Sequence, residues 1–514
     1  MSFTLRPIRE DKKNGRFRKC AVIATGVLEA AVHLYHQMKH REEETVESQK
    51  RVRLLKRATL VLLSGLLILL FLIGTLNVLV RMKMLSLGTM VSVVSTPPAH
   101  DERGNTNVLL LGEGDNDHDG VDLTDTIMVV SLDPVHTESA VMLSLPRDLY
   151  LLSTEKMGKG RINSLYRDYK AQLVRGGMEK GQASKEAMTQ LAKEIGDILG
   201  LSIHGTIKLN FSGFEQAIDA LGGIDVTVPE DLVDPEYPGQ GYTYVTFQIG
   251  KGLQHMSGAT ALKYARSRHS TSDFSRSARQ QQIIVAASEK AKSAGLLTHP
   301  RKINDLFGIV SQNMETTFAV RELFGLADLG KRIDHGKIVN VQLSDQNGLF
   351  GGLSEKGGFL YAPPREQFDG AAVFLPVSIP EFPVTWKQIQ TLVKLLIDHR
   401  DVFIDPPRIL IANAGAKEGS ARLLGAELTR YGFNVVKTRN FAKKPNPSFD
   451  RSWMSIRPDD AAKHAKTTAT LLAKIFAFAA AKNPPEGTFG EEQADLVIVL
   501  GKDYHYTALQ DLIR

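Results

Sequence analysis

TIMVVSLDPVHTESAVMLSLPRD, residues 126–148, reads as two buried strands, the turn between them and a charged exit. Thr126–Leu132 and Ala140–Leu145 are short, nearly continuous apolar runs, and Asp133-Pro134 supplies the turn. Pro146 cannot donate to a ladder, so it ends the second strand and leaves Arg147 and Asp148 aimed outward as an ion pair. Upstream, Asn107–Gly112 (NVLLLG) is a third strand of the same kind. Downstream, Ser184–Leu199 places Ala187, Leu191, Ile195 and Ile198 at helical spacing and is stopped by Gly200. Ser212 and Glu215 form a capping-box pattern before Ala217, Ile218 and Leu221, with Gly222-Gly223 ending that helix. Ile224–Val228 alternates as a strand should. Strands mixed with helices imply a layered α/β domain over residues 105–385.

After residues 386–407, a helix and linker ending in Pro406-Pro407, a second α/β unit is expected over 408–514. It reads as strand Arg408–Ala412, helix Gly419–Arg430, strand Phe433–Lys437, a long helix Asp459–Ala481 and strand Asp495–Leu500. Phe441–Pro458, with three prolines, reads as a loop.

The chain has 514 residues, room for two or three domains, and a formal charge of only +6, so no basic coat demands nucleic acid. Cys20 is the single cysteine, which rules out an internal disulfide framework. Ala58–Val80 is 23 residues without a charge, enough to span a bilayer of about 30 Å. Arg41, Lys50, Arg51, Arg53, Lys56 and Arg57 precede it, whereas only Arg81 and Lys83 follow closely. The positive-inside bias places residues 1–57 in the cytoplasm and 81–514 outside, with 58–80 as a single-pass anchor and 81–104 as a linker.

ALKYARSRHSTSDFSRSARQQQ, residues 261–282, gathers Arg266, Arg268, Arg276 and Arg279 around a single acidic residue, Asp273. Arg266 and Arg268, two apart, share a face on extended backbone; Arg276 and Arg279, three apart, share one on a helix. Paired guanidinium forks at a helix start suit a pyrophosphate, and the alternative is a solvated basic face. Arg161-Ile162-Asn163 is a further cluster, read at a strand end. Residues 113–125 carry Asp115, Asp117, Asp119, Asp122 and Asp125. They lack the terminal glutamate and flanking helices of a calcium loop, and hard oxygens between strands suit Mg²⁺, with Asp125 as the best-placed ligand. Ser270, Ser272 and Ser275 have no activating context and His269 reads as a surface histidine. Arginines and carboxylates without a nucleophile suit displacement at phosphorus.

LPRDLY, RIN, DALGGIDV, LQHMSGATALKYARSR and SDFSRSARQQ, in this order, resemble the LytR–CpsA–Psr family over about residues 105–385. RILIANAGAKEGSARLLGAELTRYGFNVV with ADLVIVLGKD resembles its accessory C-terminal domain. The resemblance implies a mixed central sheet flanked by helices, on the outer face of a bacterial cytoplasmic membrane. It implies an enzyme that moves a glycopolymer, with one phosphate, from a polyprenyl pyrophosphate carrier to peptidoglycan. Arg147, Arg161, Arg266, Arg268, Arg276, Arg279 and Gln280 would then bind the pyrophosphate, and Asp148 and Asp273 would orient the arginines. Asp125 would bind Mg²⁺ (or Mn²⁺). The family commonly has LLLG-x-D after the first strand; here Gly112-Glu113-Gly114-Asp115 stands there, which makes Asp115 the candidate second ligand. The alternatives are a polyprenyl-pyrophosphate-binding protein, a pyrophosphatase, or an envelope-related transcriptional attenuator. The inferred topology opposes the last, because a DNA-binding patch belongs in the cytoplasm.

Overall fold

A computed structural model of the chain describes residues 96–513 except 115–120, 240–242, 268–272, 296–305, 307, 346–357, 378–384, 442–447, 459–463, 483, 486–487 and 490–492. The side chains of 273–275 are likewise not described. The anchor at 58–80 and the segment 1–57 lie outside these residues. Among the described residues, no helix is long and apolar enough to cross a membrane.

The three strands read from the sequence are the centre of a six-stranded mixed sheet: β1 (Thr106–Glu113), β2 (Thr124–Asp133) and β3 (Ser139–Leu145) form an antiparallel meander. β4 (Gly205–Leu209) runs parallel to β1, and three-residue β9 (Met314–Thr316) closes that edge. On the far side β10 (Ile338–Gln342) runs parallel to β3. One sheet face packs Leu109, Leu111, Ile127, Val129, Val141 and Leu143 against α1 (Ile162–Arg175) and α2 (Lys180–Leu199). α2 begins four residues before the expected Ser184, because Glu179 accepts the Gln182 amide and starts the helix there; Gly200, at φ 71°, ends it as read.

A satellite layer lies on the other face. It contains α3 (Phe211–Ala220), hairpin strand β5 (Ile224–Val228), the ribbon β6 (Leu232–Pro238) and β7 (Tyr244–Ile249), then β8 (Gly252–Met256), α4 (Gly258–Arg266) and α5 (Asp273–Ser293). The cap of α3 is Asn210, whose side chain accepts the Gly213 amide, so the expected Ser212–Glu215 box is displaced by two residues. Among the described residues β5 pairs with β8 and does not enter the main sheet.

The C-terminal sheet has the order β12-β11-β15-β13-β14, built from β11 (Ile409–Asn413), β12 (Val435–Asn440), β13 (Trp453–Ile456), β14 (Ala479–Ala480) and β15 (Leu496–Leu500). The expected loop 441–458 contains strand β13. Its prolines lie on either side of Trp453–Ile456 and interrupt no ladder bond. The expected helix 459–481 is shorter among the described residues: α9 (Ala465–Phe476) stops where Ala477 turns left-handed at φ 56°, and β14 then pairs with β13.

α7 (Lys387–Asp398) joins the two sheets, and just beyond it Arg400 is 2% exposed. Its guanidinium donates to Asn105 Oδ1 at 2.7 Å and to Ser131 O at 3.2 Å, pinning the linker to the central strands of the first sheet where β1 begins and β2 ends. Beside it, Asp133 accepts the His136 and Thr137 amides at 2.9 and 3.0 Å and the Thr137 hydroxyl at 2.7 Å. Burial opposes its ionisation, but these bonds and Arg400 outweigh burial and hold its pKa at about 2. A carboxylate depressed in the folded state stabilises above its unfolded value near 4 and loses that contribution as pH falls toward 2. We therefore expect urea unfolding at pH 7, 4 and 3 to show a smaller acid loss in Asp133→Asn than in the wild type. Equal slopes in the two proteins would remove Asp133 as a source of acid sensitivity.

Candidate functional site

The C-terminal ends of β1 and β3 and the start of β2 meet at one end of the sheet, and the charged exits cluster there. Arg147, two residues beyond β3, donates to Asp125 Oδ1 at 3.2 Å; Asn163, at the start of α1, donates to the same oxygen at 3.3 Å. Asp148 pairs with Arg161 at 3.2 Å and with Arg147 at 3.6 Å. A two-residue bridge, Tyr150–Leu151 with Gly160–Arg161, sets Arg161 opposite the β3 exit. Two carboxylates thus hold two arginines in fixed relation, with fork geometry suited to phosphate oxygens.

This cluster borders a cleft of about 200 Å³ that also presents Arg276, Gln280 and Ser344. Behind it lies a larger cavity of about 460 Å³, walled chiefly by Leu110, Ile207, Leu209, Phe211, Phe214, Leu262 and Ile284. Asp125, Thr126, Arg276 and Gln280 line both. An apolar chamber therefore ends on a charged floor, the layout of a site that takes a long apolar group and fixes its polar head.

The arginine stretch is divided by the fold. Arg266 is the last residue of α4, so it is helical and the expected extended pairing with Arg268 does not arise from its backbone. Its guanidinium lies 4.1 Å from the Phe211 ring centre and 3.4 Å from the Tyr237 hydroxyl, at the end of the apolar cavity. Arg268, His269, Ser270, Ser272 and Asp115 lie outside the described residues, and Asp273 opens α5 with its side chain undescribed. Arg276 and Arg279 do not act as one fork. Arg279 is turned back onto α4, donating to Tyr264 O at 2.9 Å and to Ser267 O, so it satisfies the last carbonyls of that helix. Burial lowers its pKa, against the pull of Tyr264 and Asp234. Gln280 faces the cavities, whereas its neighbour Gln281 is buried and donates to Ser144 Oγ at 3.0 Å and Val341 O at 3.1 Å, which pins α5 across the sheet.

Two features escaped the sequence reading. Asp234 is fully buried and accepts the Ser267 hydroxyl at 2.7 Å, which fixes the turn leaving α4. Lys208, 1% exposed, sits between Glu113 at 2.7 Å and Glu315 at 3.2 Å, with its ammonium 4.8 Å from the Tyr166 ring. Burial alone would favour neutral Lys208, but Glu113, Tyr166 and Glu315 outweigh it and raise its pKa. Burial pushes Glu113 up, against the pull of Lys208. A lysine inside the apolar strand TIKL was the available signal. No group of three or more histidines, cysteines or acids gathers for a metal among the described residues. Yet Glu113 Oε2 is buried without a hydrogen-bond partner, and Glu113 and Asp125 line the same cavity. Two carboxylates with substrate oxygens are a sufficient donor set for Mg²⁺.

Residues 81–369 match the model described as the LytR_cpsA_psr family, and residues 407–504 match one described as LytR cell envelope-related transcriptional attenuator. The chain is 29% identical over 394 residues to the cell wall biosynthesis protein LcpA of Corynebacterium glutamicum, covering 69% of this chain and 67% of that protein. It is 30% identical over 226 residues to the polyisoprenyl-teichoic acid–peptidoglycan teichoic acid transferase TagU of Oceanobacillus iheyensis, covering 44% of this chain and 62% of that one. The chain thus matches about two thirds of the length of these curated relatives. Among solved structures, TagV of B. subtilis aligns with 58% of this chain and 99% of its own, at 23% identity and a TM-score of 0.41.

Proposed function

The chain belongs to the LytR–CpsA–Psr family, and from that membership and the paired cavities we propose that it is a glycopolymer phosphotransferase of the cell envelope. It takes a glycopolymer carried on a polyprenyl pyrophosphate and moves it, with one phosphate, to a peptidoglycan hydroxyl. The observation that carries this reading is the wall of Asp125, Arg276 and Gln280 shared by the apolar cavity and the charged cleft. A prenyl chain fits the first and a pyrophosphate the second. The relatives' printed names, a teichoic acid transferase and a cell wall biosynthesis protein, support the same class.

In this reading Arg147, Arg161, Arg266 and Arg276, together with Arg268, neutralise the pyrophosphate, and Gln280 contacts its oxygens. Asp148 holds Arg147 and Arg161 in place, with Asp273 doing the same at the start of α5. The acceptor hydroxyl oxygen forms a bond to the glycopolymer-side phosphorus, the bridging P–O bond breaks, and polyprenyl phosphate leaves with the electron pair and takes up the hydroxyl proton. Positioning and charge neutralisation supply most of the acceleration in such transfers. Asp125 with Glu113, or with Asp115, would hold Mg²⁺ or Mn²⁺, which when bound adds positive charge beside the phosphates. Residues 58–80 anchor the chain with 1–57 cytoplasmic and 81–514 outside, keeping the site beside its lipid substrate; 105–385 form the transferase domain and 408–514 an accessory domain.

The test uses the full chain in detergent, Mg²⁺, a labelled polyprenyl-pyrophosphoryl oligosaccharide and peptidoglycan fragments, with Arg268→Ala and Asp125→Ala in parallel. Label on the fragments, lost in both variants, is the expected result. Release of free phosphorylated oligosaccharide would make the protein a hydrolase, and bound lipid without turnover would make it a carrier.

A further inference from the structure

Displacement at phosphorus puts the attacking oxygen roughly in line with the leaving one, on the opposite side of the phosphorus. With polyprenyl phosphate leaving toward the apolar cavity, the acceptor hydroxyl must arrive from the other side. The cavity lies over the ends of β4 and β1 and the start of β2, whereas the cleft lies over the start of β2 and the ends of β3 and β10. The two meet at Asp125 and Thr126 and extend from there in opposite directions across the sheet. At a strand spacing of about 4.8 Å, the exit of β10 stands about 10 Å beyond β2. The far wall of the cleft, which includes Ser344, Asp345 and Phe374, therefore faces the phosphorus from the side of attack.

That wall is held in place by backbone bonds. Gln342 pairs with Ser144 and the Leu343 amide donates to Ser144 O at 3.0 Å, so Ser344 and Asp345 leave β10 beside the Pro146–Arg147 exit of β3. Ser344 O accepts the Leu360 amide and Asp345 O the Gly358 amide, each at 3.1 Å. Phe374 donates its amide to Asp148 O and accepts the Tyr150 amide, both at 2.9 Å, and its ring is half-buried. The Asp345 carboxylate is exposed and makes no ion pair or hydrogen bond among the described residues, although Arg147 and Arg276 line the same cleft. An ionised carboxylate only accepts hydrogen bonds and repels phosphate oxygens, so it does not suit the pyrophosphate. It suits a sugar hydroxyl, which donates, and an aromatic ring beside it suits the apolar C–H face of a pyranose. We propose that Phe374 and Asp345 form the acceptor subsite: a pyranose of the peptidoglycan glycan strand lies on Phe374, and a hydroxyl donates to Asp345, which orients the acceptor for attack. The glycopolymer, as a substituent on the phosphorus off the line of attack, leaves this wall clear. The assignment rests on the proposed transferase reading, which supplies the line of attack.

The test measures two affinities of the full chain in detergent by fluorescence anisotropy, for the wild type, Asp345→Ala and Phe374→Leu. One probe is a fluorescein-tagged peptidoglycan tetrasaccharide, added in the presence of sugar-free polyprenyl pyrophosphate so that no transfer can occur. The other is a tagged polyprenyl-pyrophosphoryl oligosaccharide, the donor. Asp345 is exposed, so Asp345→Ala probes the site without opening the core. It should weaken the tetrasaccharide about tenfold or more, the fold-change of one lost hydrogen bond to a charged group. Phe374→Leu should weaken the same probe, and donor affinity should stay at the wild-type value in both variants. Wild-type tetrasaccharide affinity in both variants, or no tetrasaccharide binding by the wild type, would overturn the subsite. Loss of donor affinity instead would assign the wall to the glycopolymer and overturn it equally. A wild type that binds both probes through these residues but transfers nothing would fail the transferase reading alone.

Discussion

Arg276→Ala should lower glycopolymer transfer by about 10²–10³, the loss seen when one preorganised charge-stabilising donor is removed from a reaction centre. Arg279→Ala, one helical turn further along α5, should instead cost about 3 kcal/mol of stability, because it leaves buried carbonyls without a charged donor. The difference follows from where the two guanidiniums go. Arg276 lines both the cleft and the apolar cavity, so its truncation opens onto space a substrate would fill. Arg279 is spent on Tyr264 O and Ser267 O, holding the end of α4 and with it Arg266. Urea unfolding beside the transfer assay separates the two. Arg279→Ala that keeps wild-type stability but loses transfer would place its guanidinium on substrate, as the sequence spacing suggested.

That contrast marks how far the sequence could be read. A three-residue spacing puts two side chains on one helical face, but two long arginines on that face can reach different neighbours: Arg279 turns to carbonyls of α4, while Arg276 lines the cleft and the cavity. The central strands were legible because each is an apolar run buried on both sides. Met314–Thr316 was not, because a three-residue edge strand carries too little pattern to distinguish it from a turn. The segment Ala477–Ala481 is rich in alanine and reads as helix by propensity, yet Ala477 breaks it, and Ala479 and Ala480 pair with Trp453 and Met454. The site was legible as an inventory and not as a geometry. Arg147, Asp125 and Asn163 lie far apart in sequence, and only the folded sheet determines that both donors meet one oxygen. Lys208 with Glu113 was missed for the same reason: each is unremarked alone, and adjacent strands in parallel register bring them together.

A chain ending at Pro407 should fail to fold its first sheet stably, although the matched family region ends at residue 369. One apolar cluster runs from Leu109 and Val141 through α7 into Ile411, Leu428 and Leu500. Phe359 of the first unit packs edge-on against Tyr431 at 5.2 Å and under the Arg430 guanidinium at 4.8 Å, and Phe403 meets Phe433 at 5.5 Å. Phe359 is 1% exposed and Leu392, Leu395 and Leu396 on α7 are equally hidden. Uncovering a buried side chain of this size costs about 1.5–3 kcal/mol. Losing cover over Phe359, Phe403 and part of α7 therefore costs about 5–9 kcal/mol, comparable with the ~5–15 kcal/mol that holds a domain together. The two tryptophans offer a direct check, since Trp386 abuts α7 and Trp453 lies in the C-terminal sheet. Unfolding followed through Trp386 in Trp453→Phe, and through Trp453 in Trp386→Phe, should give the same midpoint. Separate midpoints, with a soluble and active 1–407 chain, would make the C-terminal unit an independent module; a shared midpoint makes it part of the wall that the first sheet folds against.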